Sequence, residues 1–414
     1  MKHRYVFLFV FFISITAQAQ QAYHVFPKNH KNTPGKLDGN GSLTAPWDLQ
    51  TALLNKKNVN PGDTIWIHEG VYNGRYTSKI QGAGRDKILV SAYKNDRVIL
   101  NGNVKSEKEA VLHVTSSHVV FKNFEITFLG DFNRDATQKG FKPITGINHT
   151  SGEDCQFSNL KVYNVTGVGF GTWKSTGGTI IENCIVFNNG SMGPKRGNGE
   201  GFYVQNKSDK IRVIRNNLIF NNYYKGVEVW SASKDHDYKF VKNVDLLDNV
   251  IFNNGLPSGH HRGNVIIATN DSKGINRATN ISLINNVLYH NIDLNKKNYG
   301  DGASLTLGYN IKAPPKNIVI RDNVILGKNN ALGIYNIDGL QFENNTIYSG
   351  YIHIGESAHQ SIDFTNWKFK NNTYYTRKAN GFLLYPKQKI GLKVGSLAII
   401  LIKGARCYHP NNLI

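Results

Sequence analysis

The sequence predicts an all-β solenoid: one chain wound into stacked coils of short parallel strands, closed at its N-terminal end by a capping helix. Three observations predict it. The first is a six-residue repeat (apolar, any, Asn or Asp, any, any, apolar) that occurs nine times: FKNFEI from Phe121, FSNLKV from Phe157, IENCIV from Ile181, IRNNLI from Ile214, LLDNVI from Leu246, LINNVL from Leu283, IRDNVI from Ile320, FENNTI from Phe342 and FKNNTY from Phe369. A unit that cannot bury its own apolar face must stack on copies of itself. The second is the polar column inside the repeat. Its third position holds Asn123, Asn159, Asn183, Asn216, Asp248, Asn285, Asp322, Asn344 and Asn371, and the next becomes Asn217, Asn249, Asn286, Asn323, Asn345 and Asn372 in the later copies. Asn tolerates the left-handed backbone of a sharp corner, and stacked amides hydrogen-bond along the axis. The third is spacing. The steps 159 to 183, 322 to 344 and 344 to 371 suit a three-strand coil with tight corners, whereas 123 to 159, 248 to 285 and 285 to 322 are about ten residues longer and imply loops inserted at one corner. Such loops gather on one face, where binding is expected.

Ahead of the repeats, MKHRYVFLFVFFISITAQAQ has a basic start, an apolar run from Val6 to Ile15 and a small-residue exit. It reads as a signal peptide over residues 1–19, cleaved near Ala19, because the run is too short to span a bilayer. The mature protein is therefore expected to be secreted or periplasmic. Residues 20–110 form the N-terminal cap and first irregular coils. A strand is expected near Tyr23 to Phe26, then a helix opened by Thr44-Ala45-Pro46, with Thr44 as cap, running through Asp48, Leu49, Ala52, Leu53 and Leu54. Strands follow at Thr64 to His68, Ile88 to Tyr93 and Val98 to Leu100. Regular coils occupy 111–385. Residues 386–414 lose the repeat and read either as a terminal cap or as a tail outside the fold.

Cys155, Cys184 and Cys407 are too few and too poorly aligned for a disulfide framework or a thiolate metal site, so buried single thiols are expected. The formal charge is +20, or +18 once Lys2 and Arg4 leave with the signal. For an exported solenoid this suggests an acidic polysaccharide as partner rather than nucleic acid. No membrane insertion is expected, and the protein is expected to be a monomer.

The opening PWDLQTALLNKKNVNPGDTIWIHEGVY, followed by these Asn-marked coils, resembles the secreted proteins of the pectate-lyase-like superfamily over roughly Tyr23 to Tyr385. The resemblance implies a single-stranded right-handed parallel β-helix. It leaves the activity open, because that superfamily includes lyases, glycoside hydrolases, epimerases and proteins without assigned activity.

Each repeat is followed by a strand that often opens on Gly, as in GFYVQN from Gly201 and GVEVWS from Gly226. Alternation sends Phe202, Val204, Val227 and Val229 inward and Tyr203, Gln205, Glu228 and Trp230 outward. The preceding corners carry Arg196 and Glu200, then Lys225, then His260, His261 and Arg262, with Asp301 one coil later. Stacking brings these distant segments to one patch. β-Elimination from a uronic acid needs a group that neutralises the carboxylate, a base for the adjacent C–H and an acid for the departing oxygen. Arg196 and Arg262 suit the first role with help from Gln205. Lys225, its basicity tuned by cationic neighbours, suits the base, and Tyr203 the acid or the base, with His261 an alternative to either. Trp230 offers a sugar platform and His260 a further substrate contact. Glu200 and Glu228 either neutralise Lys225 and Arg262 or serve as Ca²⁺ ligands; the elimination itself requires no cofactor. Asp235-His236-Asp237 resembles a metal motif but suits a solvated loop as well.

The expected function is thus a secreted polysaccharide lyase acting on an acidic glycan. The alternatives are a glycoside hydrolase using Glu200 and Glu228 as its carboxylate pair and a non-catalytic glycan-binding β-helix. The excess of cations over carboxylates in the patch favours elimination.

Overall fold

The structure is a computed structural model that describes residues 20–55, 57–232, 241–259, 263–271, 273–291, 302–309, 312–354, 365–376, 382–384 and 406–408. Three long parallel sheets of 12, 12 and 11 strands run its length. The chain visits them in rotation. Val119–Lys122 lies in the first sheet, Glu125–Thr127 in the second and Thr145–Ser151 in the third, after which Gln156–Ser158 returns to the first. Adjacent coils stay in register, so that Phe157 sits between Phe121 and Ile181.

The corner between the first and second sheets explains the repeat. All nine third-position residues have positive φ, from 51° to 66°. Their Asn neighbours turn inward and form a buried ladder: Asn217, Asn249, Asn286, Asn323 and Asn345 each pass an Nδ2–H to the Oδ1 of the next, at 2.9–3.1 Å, and Asn372 is the last acceptor. The backbone carbonyls left over at each corner are taken by the same amides, as at Ile214 O and Leu246 O. The ladder amides thus carry their donors into an apolar core already paired.

Apolar side chains from all three sheets, among them Phe121, Phe157, Phe170, Phe202 and Phe342, fill the interior. On the outside of the second sheet Tyr163, Phe187, Phe220, Phe252 and Tyr289 stack face to face with centroids 4.7–5.0 Å apart, the spacing of the strands beneath them. Cys155 and Cys184 are buried free thiols, and burial pushes both up to about 12.

The capping helix spans Leu49–Leu54, and Leu49, Ala52 and Leu53 join the core at the end of the solenoid. Its cap is Asp48, whose Oδ1 accepts the Thr51 N–H at 3.1 Å, rather than Thr44. The stretch before it bends instead, tied back by Ala45 O, which accepts from Asn40 and Gly41, and Pro46 O, which accepts from Lys36. At the other end Arg406–Tyr408 adds a strand to the second sheet beside Thr373–Thr376. The expected signal peptide and the rest of 386–414 lie outside the described residues. Among the described residues no helix is long and apolar enough to cross a membrane.

Candidate functional site

The corner between the second and third sheets carries a second amide ladder, in which Asn189, Asn222 and Asn254 donate to Asn222, Asn254 and Asn264 at 2.9–3.0 Å. The strands that follow must start close against it. A Cβ on Gly226 would lie 2.7 Å from Asn254 Nδ2 and 2.6 Å from the Asn264 carbonyl, and one on Gly201 would lie 2.8 Å from Asn222 Nδ2. Glycine is therefore required at the foot of both strands, and the residue before each is fixed in place. Those residues are Glu200 and Lys225.

Gly201 N–H donates to Lys225 O at 2.8 Å, which sets Glu200 one coil from Lys225. Three residues further on, Tyr203 and Glu228 are register partners on adjacent strands. Alternation holds for the inward set: Phe202, Val204, Val227 and Val229 are all fully buried. The four polar side chains thus meet at one point of the corner. Lys225 Nζ donates to Glu228 Oε1 at 2.5 Å, and both side chains are more than nine-tenths buried. Lys225 Nζ also lies 4.5 Å from the Tyr224 ring centre and 5.2 Å from that of Trp230, while the Arg196 guanidinium stacks on Tyr224 at 4.3 Å. Trp230 leans on Tyr309, and Trp173, which donates Nε1–H to Asn148 Oδ1, leans on Tyr203.

Burial, followed by the charge of Glu228 and a hydrogen bond with it, pushes the Glu200 carboxyl up to about 8. Glu200 thus holds its proton more tightly than an ordinary carboxyl does. Burial first, then the neighbouring carboxyls of Glu228 and Glu200, raises the Tyr203 hydroxyl above the usual phenol range, with Gln205 partly opposing through a hydrogen bond. The phenol is therefore held in its protonated form.

Two expectations change. Gln205 is 1% exposed and so packs beside Tyr203 instead of facing the sheet surface. Lys225 has a carboxylate as its closest charged neighbour rather than cations. Glu228 is the carboxylate that bonds the Lys225 ammonium. His260, His261, Arg262, Asp301 and Asp235-His236-Asp237 lie outside the described residues. Tyr224, Trp173, Asn148 and Tyr309 join the site without having been singled out. The aromatic members stood in the motifs NNYYKG, GVGFGTW and ASLTLGY, where alternation alone could have found them.

A family model described as "Right handed beta helix region" matches residues 71–245. With the three-sheet winding, this decides the fold. The chain is a right-handed parallel β-helix. Its backbone is similar to that of a rhamnogalacturonan lyase, with a TM-score of 0.62 and 16% identity over 85% of this chain and 87% of the other. It is similar also to the pectate lyase Pel9A, at 0.53 and 17% over 90% and 82%. The Dettilon tailspike protein matches at 0.52 and 13% over 87% and 64%. No curated protein sequence matches.

The donor set of this β-helix does not suit Ca²⁺ at Glu200 and Glu228. Such an ion takes six to eight oxygens, whereas these two carboxyls offer four and Glu228 already holds the Lys225 ammonium. Elsewhere among the described residues His118, Glu153 and Asp154 cluster, but Lys210 Nζ already bonds both carboxylates, at 3.0 and 2.5 Å.

Proposed function

We propose that this protein is an exported polysaccharide lyase that cleaves an acidic, uronate-containing polysaccharide by β-elimination at the Glu200–Tyr203–Lys225–Glu228 corner. The observation that carries the reading is the short Lys225–Glu228 contact beside a phenol held in its protonated form.

The proton traffic closes on these residues. Lys225 passes its proton to Glu228 across the 2.5 Å contact, and the free amine takes the C5 proton of a uronate. The C–H electron pair becomes the C4–C5 double bond, and the C4–O bond breaks with its pair on oxygen. Tyr203 protonates that oxygen and recovers a proton from Glu228, which restores the starting charges. Arg196 stands where it can neutralise the substrate carboxylate and so acidify C5–H. Gln205 positions the Tyr203 hydroxyl from within the wall, and Trp230 offers a face to a sugar ring.

Hydrolysis by Glu200 and Glu228 is the weaker reading. The two carboxyls hydrogen-bond each other, whereas hydrolases keep theirs about 5 Å apart or more, with sugar or water between. Two fold neighbours are a pectate lyase and a rhamnogalacturonan lyase. A tailspike shares the same winding, so the side chains rather than the fold carry the proposal. Incubation with alginate, pectate and glycosaminoglycans tests it. Elimination yields a C=C–carboxylate chromophore that absorbs in the ultraviolet, and new reducing ends without that absorbance would replace this reading with hydrolysis.

A further inference from the structure

A second cationic cavity lies on the same corner of the solenoid, toward the N-terminal end. It encloses about 450 Å³ and is lined by Lys28, Arg75, Lys108 and Asp48 over a floor that includes Tyr72 and Tyr76. Arg75 and Lys108 brace each other: Arg75 Nη1 donates to Lys108 O at 2.5 Å, and Lys108 Nζ donates to Arg75 O at 2.8 Å. Their other acceptors, Gly102 O, Ser106 O and Gln50 Oε1, are also uncharged. The one carboxylate in the lining, Asp48, spends both oxygens on the helix cap, on Thr51 N and Thr51 Oγ1, with Lys28 at 3.8 Å. Glu107 lies at the rim, exposed and paired with Lys142 at 3.7 Å. Two fixed cations thus face a cavity with no carboxylate bonded to either.

The cavity also has a direction. An adjoining hollow of about 340 Å³ shares Arg75 and Lys108 and runs on past Phe128, Phe132 and Lys142. Arg134 then stacks on Phe132 and on Tyr223, next to the Tyr224 that carries Arg196 and Lys225. Its guanidinium too is held only by carbonyls, those of Val165, Asn188 and Gly190. From the strand after Arg75, Tyr76–Ser78, to the strand after Lys225, Val227–Ala232, the third sheet advances five strands, or about 24 Å.

We propose that the Arg75–Lys108 cavity is a remote anion subsite, holding a carboxylated or sulfated sugar unit of the same polysaccharide that is cleaved at Lys225. This rests on the polysaccharide reading above but not on elimination. A pyranose unit is about as long as one coil spacing, so the two sites are bridged by a chain of roughly five to seven sugars. Cations whose hydrogen-bond partners are neutral suit this task, because the incoming anion bonds them without displacing a carboxylate, and Glu107 and Glu109 stay at the rim.

Native gels containing alginate, polygalacturonate or chondroitin sulfate, with dextran as the uncharged control, test this. The wild-type protein is expected to be retarded by at least one acidic polymer. Arg75→Ser/Lys108→Ser should bind that polymer about tenfold more weakly, whereas the charge-keeping Arg75→Lys/Lys108→Arg should bind as wild type. Equal retardation of wild type and the Ser pair, or retardation of wild type by none of the acidic polymers, overturns the proposal. If the Ser pair does not fold, acetylation of the wild-type protein decides: the retarding polymer should slow modification of Lys108 about threefold or more, and unchanged labelling overturns the subsite. Retention with Lys108 protected, but without an unsaturated product, would remove the lyase reading and leave the subsite standing.

Discussion

Tyr203, Lys225 and Trp230 sit within one corner yet should fail in different ways when altered. Tyr203→Phe keeps the ring against Trp173 and removes only the donated proton, so kcat is expected to fall about a thousandfold with KM little changed. Lys225→Met should cost as much, since no neighbour among the described residues offers a second amine. Trp230→Ala should raise KM about tenfold and leave kcat within a few-fold, as the loss of a platform does. Initial rates of chromophore formation on the cleaved polymer separate the three. Glu200 gives a different signature, in stability. Its carboxyl is raised from 4.5 to about 8 in the folded state, so the native form holds the extra proton across that window. Stability should therefore be greatest below pH 4.5 as far as this group is concerned, and fall as pH rises through 8. Urea midpoints of Glu200→Gln should lack this decline. A decline as steep as that of the wild type would place the proton elsewhere.

At the scale of one coil, the Asn pair does two separate jobs, and two substitutions tell them apart. Asn286 is buried and gives Nδ2–H to Leu246 O and Asn323 Oδ1 while its Oδ1 takes both N–H groups of Asn249. Asn286→Ala would strand the Asn249 donors and deprive Leu246 O and Asn323 Oδ1 of a donor, and is expected to cost on the order of 3 kcal/mol in urea unfolding. Asn285 is needed for its backbone, at φ 57°. Asn285→Gly should be nearly neutral and Asn285→Val should cost about 1–2 kcal/mol. Both jobs were legible in the sequence because the pair recurs with its flanking apolar residues. The second ladder was legible in principle too, since FNNG, FNNY and FNNG carry Asn189, Asn222 and Asn254. It escaped notice because the coil after Asn254 is served by Asn264, which sits at the foot of a strand across an inserted loop, so the spacing of the Asn pairs gives no regular period. The helix cap at Asp48 was hidden for a related reason. Thr44 and Pro46 look like a helix start locally, and only pairing with the segment 36–41 holds them out of the helix.

At the scale of the whole molecule, winding turns a one-dimensional pattern into a surface, and this sets how much of the site the sequence could reveal. Which residues share the corner followed from alternation and coil spacing, so Tyr203, Lys225, Glu228, Trp230 and Arg196 were placed together before any coordinates. Which of them bond to each other did not follow, because the Lys225–Glu228 contact and the tighter hold of Glu200 on its proton depend on burial that a neighbouring coil supplies. Charge is the other property that belongs to the molecule as a whole. At +20, with cations ranged along one edge from Arg75 to Lys225, the protein should draw a polyanion from beyond contact distance. Raising NaCl from about 0.05 to about 0.5 M shrinks the screening length from roughly 14 to roughly 4 Å, less than one coil spacing. Long-range attraction then disappears while the short Lys225–Glu228 contact inside the wall is untouched. On the polymer that is turned over, kcat/KM should accordingly fall about tenfold across that range, with kcat at saturation within about twofold. Steady-state rates at four or five salt concentrations decide the matter. A kcat that drops in step with kcat/KM would mean that salt reaches the chemistry itself, and that the corner is more open to water than the burial of Glu200, Lys225 and Glu228 implies.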